Sequence, residues 1–369
     1  MSDTDLTFMN TALTLGRRGL GNVWPNPAVG CVLVRAGHIV GRGWTQPGGR
    51  PHAETMALAA AGSAAQGATA YVTLEPCSHQ GQTGPCAQAL IDASIKTCVV
   101  ATRDPDPRVS GRGIEMLQNA GIVVREAVHE PRARKDHLGF LSRITTGRPM
   151  VTLKLASSFD GRIATASGHS QWITGPLARR AVHMMRANHD AVLVGAGTAR
   201  QDDPSLTVRD LGMRRQPVRV VVSRRLDVPL TGNLARSAAQ IPVWLCHGHD
   251  ADPELMSTWT GLGARLVACD THLGKLDLRS VFKSLGDLGL TRVFCEGGGQ
   301  LAASLLDVDL VDELVGFTAG LGIGAEGLAS LGALGLDRLD QAPRFVLEDV
   351  RRIGPDIQHR WSHTRYRQR

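Results

Sequence analysis

Apolar positions fall into two successive series of short strand-like runs, each separated by helix-like stretches. Leu6, Met9 and Leu13 recur at helical spacing among alanines and predict a first helix ending near Gly16. Residues 29–34 form a continuous apolar run, turned by Ala36-Gly37 into a second strand over 38–43. The Ala-rich stretch 55–61 predicts a helix. After it the pattern gives strands at 69–74, 97–101 and 122–125, helices at 86–93 and 113–120, and a charged helical region over 126–144. The run Thr145-Thr146-Gly147-Arg148-Pro149 is polar and broken by Gly and Pro, so it reads as a linker. The second series has strands at 151–155, 191–194, 218–222, 243–246, 265–268 and 292–295, with helices such as 175–187 and 276–288 between them. Alternating strands and helices predict a mostly parallel α/β sheet. Two domains are therefore expected, 1–146 and 148–369, with no internal repeat.

Composition narrows the class. The 369 residues are 43% hydrophobic and 20% charged, enough for a sizeable core. The net charge of +7 is dispersed, and only 4% of residues are aromatic, a poor supply for base stacking. A small anionic substrate and cofactor account for the charge without nucleic acid. Seven cysteines do not suggest a disulfide framework. A polar N-terminus and the lack of a long apolar run predict a cytoplasmic protein with no membrane contact.

The sharpest chemical signal is Pro51-His52-Ala53-Glu54, followed by Pro76-Cys77 and then Cys86. One imidazole and two thiolates leave a fourth tetrahedral position open, as catalytic zinc sites do. Glu54 is then free to move protons, as in the zinc deaminases, whose signature is H-x-E followed by P-C and a further Cys. Residues two apart in a regular helix diverge by about 200°, so His52 and Glu54 are expected at a helix start, where non-helical angles let them converge. A helix beginning at Cys77 would favour its thiolate. The signature normally ends C-x-x-C, so residues 78–85 must fold back to bring Cys86 to the metal.

In the second half, Glu296-Gly297-Gly298-Gly299 joins a strand to the helical run 301–306. Glycines there either make a tight turn or admit backbone N–H groups to phosphate oxygens, and the residues alone leave both readings open. Gly195-Ala196-Gly197-Thr198 has Arg200 where the third glycine of a dinucleotide-binding fingerprint would stand. No nucleophile–base pair is apparent, so a cofactor is expected to carry the chemistry.

These segments together resemble the bifunctional pyrimidine deaminase/reductases of riboflavin biosynthesis over nearly the full chain. The resemblance rests on Pro25-Asn26-Pro27-Ala28-Val29-Gly30, the two zinc segments, Asp160-Gly161-Arg162, Ser170-Gln171-Trp172-Ile173-Thr174, 202–209, Glu296-Gly297-Gly298 and Gly354-Pro355-Asp356. It implies an α/β protein with an N-terminal cytidine-deaminase-like three-layer domain and a C-terminal dihydrofolate-reductase-like domain. It implies zinc-dependent hydrolytic deamination of a phosphorylated diaminopyrimidinone, followed by NADPH-dependent reduction of the ribosyl chain to ribityl. By position, His52, Cys77 and Cys86 match zinc ligands, Glu54 the proton shuttle, and Asn26 and His79 deaminase substrate contacts. Ser157, Trp172, Thr198, Asp202, Ser223, Gly298, Gly299, Gln300, Leu301, Ala302, Ala303 and Ser304 match cofactor contacts. Ser170, Arg186, Leu206, Arg209 and Glu296 match reductase substrate contacts, the arginines on its phosphate. Gln82 departs from the Lys or Arg of many members. Ser223-Arg224-Arg225 reads either as a site for the extra phosphate of NADPH or as a solvated strand end, and Trp172 as nicotinamide-facing or as core. Self-association is left open.

Overall fold

The computed structural model describes residues 3–79, 84–107, 110–213 and 215–366; Gln82 lies outside them. The chain divides into two compact units, Met1–Arg148 and Pro149–Arg369. Among the described residues, no helix is long and apolar enough to cross a membrane.

The first unit runs α1 (Asp3–Gly16), β1 (Gly30–Arg35), β2 (His38–Trp44), α2 (Ala53–Ala61), β3 (Thr69–Val72), α3 (Cys86–Asp92), β4 (Thr97–Val100), α4 (Arg112–Asn119), β5 (Val123–Arg125), α5 (Glu130–Asp136) and α6 (Leu138–Thr146). Its five-stranded sheet has the order β2-β1-β3-β4-β5. The first two strands pair as an antiparallel hairpin, and β3, β4 and β5 run parallel. Period-two alternation splits β1 between two cores. Cys31 and Leu33 pack with Ala53, Ala57, Leu90 and Leu117, from α2, α3 and α4. Val32 and Val34 pack with Met9, Leu13 and Ala133, from α1 and α5. Helices on both faces of one sheet make three layers. The charged region after β5 is two short helices rather than one, because His137 at their junction leaves the helical angles (φ −87°, ψ 1°).

The second unit runs β6 (Met150–Ser158), β7 (Arg162–Ala164), α7 (Pro176–Ala187), β8 (Ala191–Gly195), α8 (Ala196–Asp202), β9 (Val218–Val222), α9 (Asn233–Arg236), β10 (Val243–Gly248), α10 (Pro253–Gly261), β11 (Arg265–Cys269), β12 (Thr271–His272), β13 (Lys275–Leu276), α11 (Leu278–Asp287), β14 (Arg292–Cys295), α12 (Gly299–Asp307), β15 (Glu313–Ala319), β16 (Leu328–Ala329), β17 (Phe345–Ile353) and β18 (Asp356–His363). The nine-stranded sheet is ordered β11-β10-β9-β8-β14-β6-β15-β18-β17. Within it β11, β10, β9, β8, β14, β6 and β15 run parallel, and the hairpin β17–β18 closes the edge antiparallel. Sequence periodicity places no strand beyond residue 295, so β15, β17 and β18 are additions to the expected sheet. The helices after β8 and β14 lead to strands on opposite sides, which makes the gap between these two neighbours the topological switch point where open α/β sheets bind ligands.

Candidate functional site

In the first unit, glycines set the depth of α2. A Cβ on Gly43 would lie 2.1 Å from the Ala53 carbonyl oxygen, and one on Gly41 would lie 2.3 Å from that of Ala57. Only glycine lets the helix backbone rest so closely on β2. His52 is the N-cap, with extended angles (φ −72°, ψ 163°), and Glu54 sits buried in the first turn. Both residues thus sit at a helix start, where the sequence pattern places them.

Cys77 does not begin a helix; it lies in the irregular segment after β3, and the helix begins at Cys86, capped by Pro85. The backbone N–H of Cys86 nonetheless points at Cys77 Sγ, 3.3 Å away, so a helix start still faces that sulfur. His52 Nδ1 lies 3.2 Å from Cys86 Sγ and 3.7 Å from Cys77 Sγ. All three donor atoms fall within 4.8 Å of one another. Zinc bonds of about 2.1 and 2.3 Å at tetrahedral angles would separate such donors by about 3.5–3.8 Å, so this set fits a zinc ion with little rearrangement.

The three donors share protons through their mutual hydrogen bonds. Cys77 is drawn down to about 4, by the Cys86 thiol first and then by His52 and the Cys86 N–H. Cys86 is pushed up by the same sharing and by burial, while hydrogen bonding to Cys77 raises His52. Burial, reinforced by the negative Cys77, lifts the Glu54 carboxyl to about 7. A carboxyl there can both take and give a proton near neutrality.

Asn26 packs against the turn at Gly49, where φ is +87° and a Cβ would lie 2.0 Å from the Asn26 amide nitrogen. His79 is exposed, two residues from Cys77. Sequence reasoning missed Glu75 and Asp104. The buried Glu75 carboxylate accepts the backbone N–H groups of Asp104, Gly111, Gly113 and Ile114 at 3.0–3.4 Å. It thus caps α4 and ties the segment leading to Cys77 to the loop after β4. Burial raises Asp104 to about 6, and His79 opposes that rise. The acidic letters at 75 and 104 were the available signal, but Glu75's partners are backbone groups with no side-chain signature.

In the second unit a cavity of about 820 Å³ opens beside β8, β14 and β6. It gathers Ser170, Trp172, Arg186, Thr198, Asp202, Leu206, Arg209, Glu296, Gly298 and Gly299 of the expected residues. Ser157, Ser223, Gln300, Leu301, Ala302, Ala303 and Ser304 are not among its lining. Ala302 and Ala303 are buried in the core, so their side chains are packing groups. Ser223 directly follows β9 and donates its hydroxyl to Asp227 at 2.6 Å. Arg224 after it pairs with Asp250 and donates to the Gly274 carbonyl. Trp172 is 66% exposed, which excludes the core reading, and the Arg179 guanidinium lies 4.6 Å above its ring.

Helix α7 organises one wall. Arg186 makes a two-pronged pair with Glu296 (2.5 and 3.1 Å) and donates to the Thr207 carbonyl at 2.8 Å. Its donors are largely engaged, which leaves the exposed Arg209 as the more available cation. His183, missed in the sequence, accepts the Arg209 backbone N–H at 3.2 Å. Lys154 also lines the cavity, and burial lowers it while Glu296 opposes that shift. At the glycine turn, the Gly298 N–H meets Thr198 Oγ1 at 3.2 Å. The N–H groups that follow, in the first turn of α12, have no partner within the helix, as at any helix start.

Comparison with known proteins joins the two sites. Residues 149–359 match the family model described as the RibD C-terminal domain, and residues 2–102 match the cytidine and deoxycytidylate deaminase zinc-binding region. The riboflavin biosynthesis protein RibD of Escherichia coli is 42% identical over 367 residues, covering 96% of this chain and 98% of that protein. The Aquifex aeolicus protein of the same name is 39% identical, covering 96% and 97%. Among solved structures, Acinetobacter baumannii RibD superposes with a TM-score of 0.87 at 39% identity, covering 98% and 99% of the two chains. A Thermotoga maritima diaminohydroxyphosphoribosylaminopyrimidine deaminase/5-amino-6-(5-phosphoribosylamino)uracil reductase gives 0.85 at 35% identity, with the same coverage.

Proposed function

Given that the chain belongs to the RibD family, the bifunctional deaminase/reductases of riboflavin biosynthesis, we propose a residue-level account of its two reactions. The first unit is cytidine-deaminase-like and the second is the family's dihydrofolate-reductase-like reductase. The substrate is a small phosphorylated pyrimidine, in our reading 2,5-diamino-6-(5-phosphoribosylamino)pyrimidin-4-one, deaminated first. The ribosyl chain is then reduced to give 5-amino-6-(5-phosphoribitylamino)uracil.

His52, Cys77 and Cys86 would hold zinc, which when bound supplies the polarisation that lets water attack at neutral pH. Glu54 takes a proton from the attacking water and returns it to the departing amino group, which leaves as ammonia. Asn26 and His79 orient the pyrimidine ring. In the reductase, NADPH when bound would supply the hydride needed at C1′ of the opened sugar. The start of α12, at Gly299 and Gln300, would hold the cofactor pyrophosphate, and Thr198, Asp202 and Trp172 would line the cofactor's path. Ser157, Leu301 and Ser304 lie outside the cavity lining and would extend that path, whereas Ser223, Ala302 and Ala303 are buried and serve the packing around it. Arg209 faces the substrate phosphate, while Arg186 holds Glu296 and the Thr207–Arg209 segment in place. Ser170 and Leu206 complete the substrate wall. Lys154, which lines the cavity, would supply the proton that accompanies hydride transfer. The compact units support a functional boundary near Gly147, with each half folding alone.

The observation that carries this reading is the convergence of two thiols and one imidazole beside a buried carboxyl. Metal analysis tests it: about one zinc per chain is expected, with loss on replacing His52, Cys77 or Cys86 by Ala. Full zinc content in all three variants would refute the ligand set.

A further inference from the structure

The C-terminal hairpin meets the start of α7, beside the reductase cavity, through a buried carboxylate. Asp356 follows the Gly354-Pro355 turn between β17 and β18 and is only 2% exposed. Its Oδ2 accepts the backbone N–H of Gly175 at 2.7 Å. Gly175 is the N-cap of α7, and no side chain of its own segment caps that helix. The first turn of α7 also carries no acid. Asp356 therefore accepts the N-cap N–H from 181 residues away, as the N3 Glu or Gln of a capping box does locally, and its carboxylate meets the positive end of the helix.

The packing shows that the contact is built for close approach. A Cβ on Gly175 would come within 3.1 Å of Pro355 and 3.3 Å of the Asp356 carboxylate. A Cβ on Gly354 would come within 3.2 Å of Leu177, in the first turn of α7. Ala178, Val182 and Met185 of α7 then pack with Phe317 and Ile353. The helix start is pinned on the hairpin side, while Asp356 itself is not among the residues lining the cavity.

What hangs from that pinned point is the cavity wall on both sides. Immediately before Gly175 runs the segment with Ser170, Trp172 and Thr174, all lining the cavity. Arg179, one turn into α7, donates to the Thr174 carbonyl at 2.7 Å and covers the Trp172 ring. Further along, His183 and Arg186 hold the Thr207–Arg209 segment and Glu296. We propose that Asp356 is a positioning residue of the reductase. By capping α7 across the fold, it sets the place of the 170–174 segment and of the α7 side chains that arrange the substrate wall. This inference rests on the NADPH-dependent reductase reading of the cavity.

The test uses the full-length enzyme, with deamination by the same molecule as internal control. Asp356→Ala should raise the KM for NADPH and for the aminouracil substrate by roughly tenfold, the scale of losing one helix cap, and change kcat less. Asp356→Asn keeps an acceptor oxygen and should recover most of the loss. A role confined to stability would lower the Tm of Asp356→Ala and leave both KM values alone. Gly175→Ala is the second route, since its methyl would press the carboxylate from the helix side. It should raise the same two KM values and keep the inference testable if Asp356→Ala fails to fold. A parent that oxidises no NADPH with this substrate overturns the reading and the inference together. A parent that turns over normally, with KM values within about twofold of it in the folded variants, overturns the inference alone.

Discussion

Replacing Gly298 by Ala separates two meanings of a glycine-rich turn. If the glycine serves only the fold, a methyl group should meet protein; if it serves a ligand, the methyl should meet nothing until the ligand arrives. The backbone at Gly298 is extended (φ −68°, ψ 175°), open to any residue, and a Cβ there finds only Thr198 Oγ1 at 3.6 Å, an ordinary contact. Its neighbours differ: a Cβ would lie 2.6 Å from Leu301 at Gly297, and 2.8 Å from the Ala329 carbonyl at Gly299. Gly298→Ala should therefore leave Tm unchanged or raise it slightly, since less unfolded-chain entropy is lost, an effect of about 0.4–1 kcal/mol. The same methyl would hold a pyrophosphate away from the first N–H groups of α12. Losing one charge-assisted hydrogen bond costs about 1.5–3 kcal/mol, which weakens NADPH binding roughly 10- to 150-fold. Fluorescence titration with NADPH, paired with a melting curve, reads both quantities. Normal NADPH affinity in a well-folded Gly298→Ala protein would refute the placement of the cofactor.

Other substitutions probe the deaminase. Glu54→Gln should retain zinc yet lose deamination by about 10²–10⁴-fold, because nothing relays the proton; ammonia release near the parent rate would exclude the shuttle. Gly49→Ala should raise the deaminase KM, since the methyl displaces the Asn26 amide and the left-handed backbone adds about 1–2 kcal/mol of strain; an unchanged KM would remove Asn26 from the substrate site. Glu75→Ala leaves buried N–H groups of the 104–114 segment without their acceptor. It should lower deaminase stability by about 1–3 kcal/mol or more, measured by urea unfolding of the first unit's transition; a shift below about 0.5 kcal/mol would contradict the capping role.

What was legible in the sequence follows from where the information resides. His52, Glu54, Cys77 and Cys86 announce themselves because their chemistry is in their side chains, and the prolines at 51 and 85 sit beside helix starts at both places. The helix expected at Cys77 was misplaced because a proline marks a helix start only when the following residues continue the turn. Here residues 77–79 form no helical turn, and α3 opens behind Pro85 instead. Strand β15 escaped the periodicity because Gly316 interrupts it. That glycine is required by the fold, since a Cβ there would lie 1.9 Å from the His359 ring. Strand β17 escaped for the opposite reason: as an edge strand it is exposed along most of its length, so its charged letters do not alternate with buried ones. Glu75, His183 and Asp356 act largely on backbone groups, and backbone partners carry no letter.

The central claim, two reactions in fixed order on one chain, is tested most directly by mass spectrometry of the products formed from the diaminopyrimidinone phosphate with and without NADPH. Without NADPH, the zinc-loaded protein should accumulate the aminouracil with its ribosyl chain intact, one amino group exchanged for oxygen and one ammonia released. With NADPH, the ribityl product should appear, gaining a hydride and a proton per NADPH oxidised. Glu54→Gln should block the first change while still reducing aminouracil supplied to it. A parent protein that forms no deaminated product, or that reduces the sugar of the undeaminated substrate first, would contradict the account.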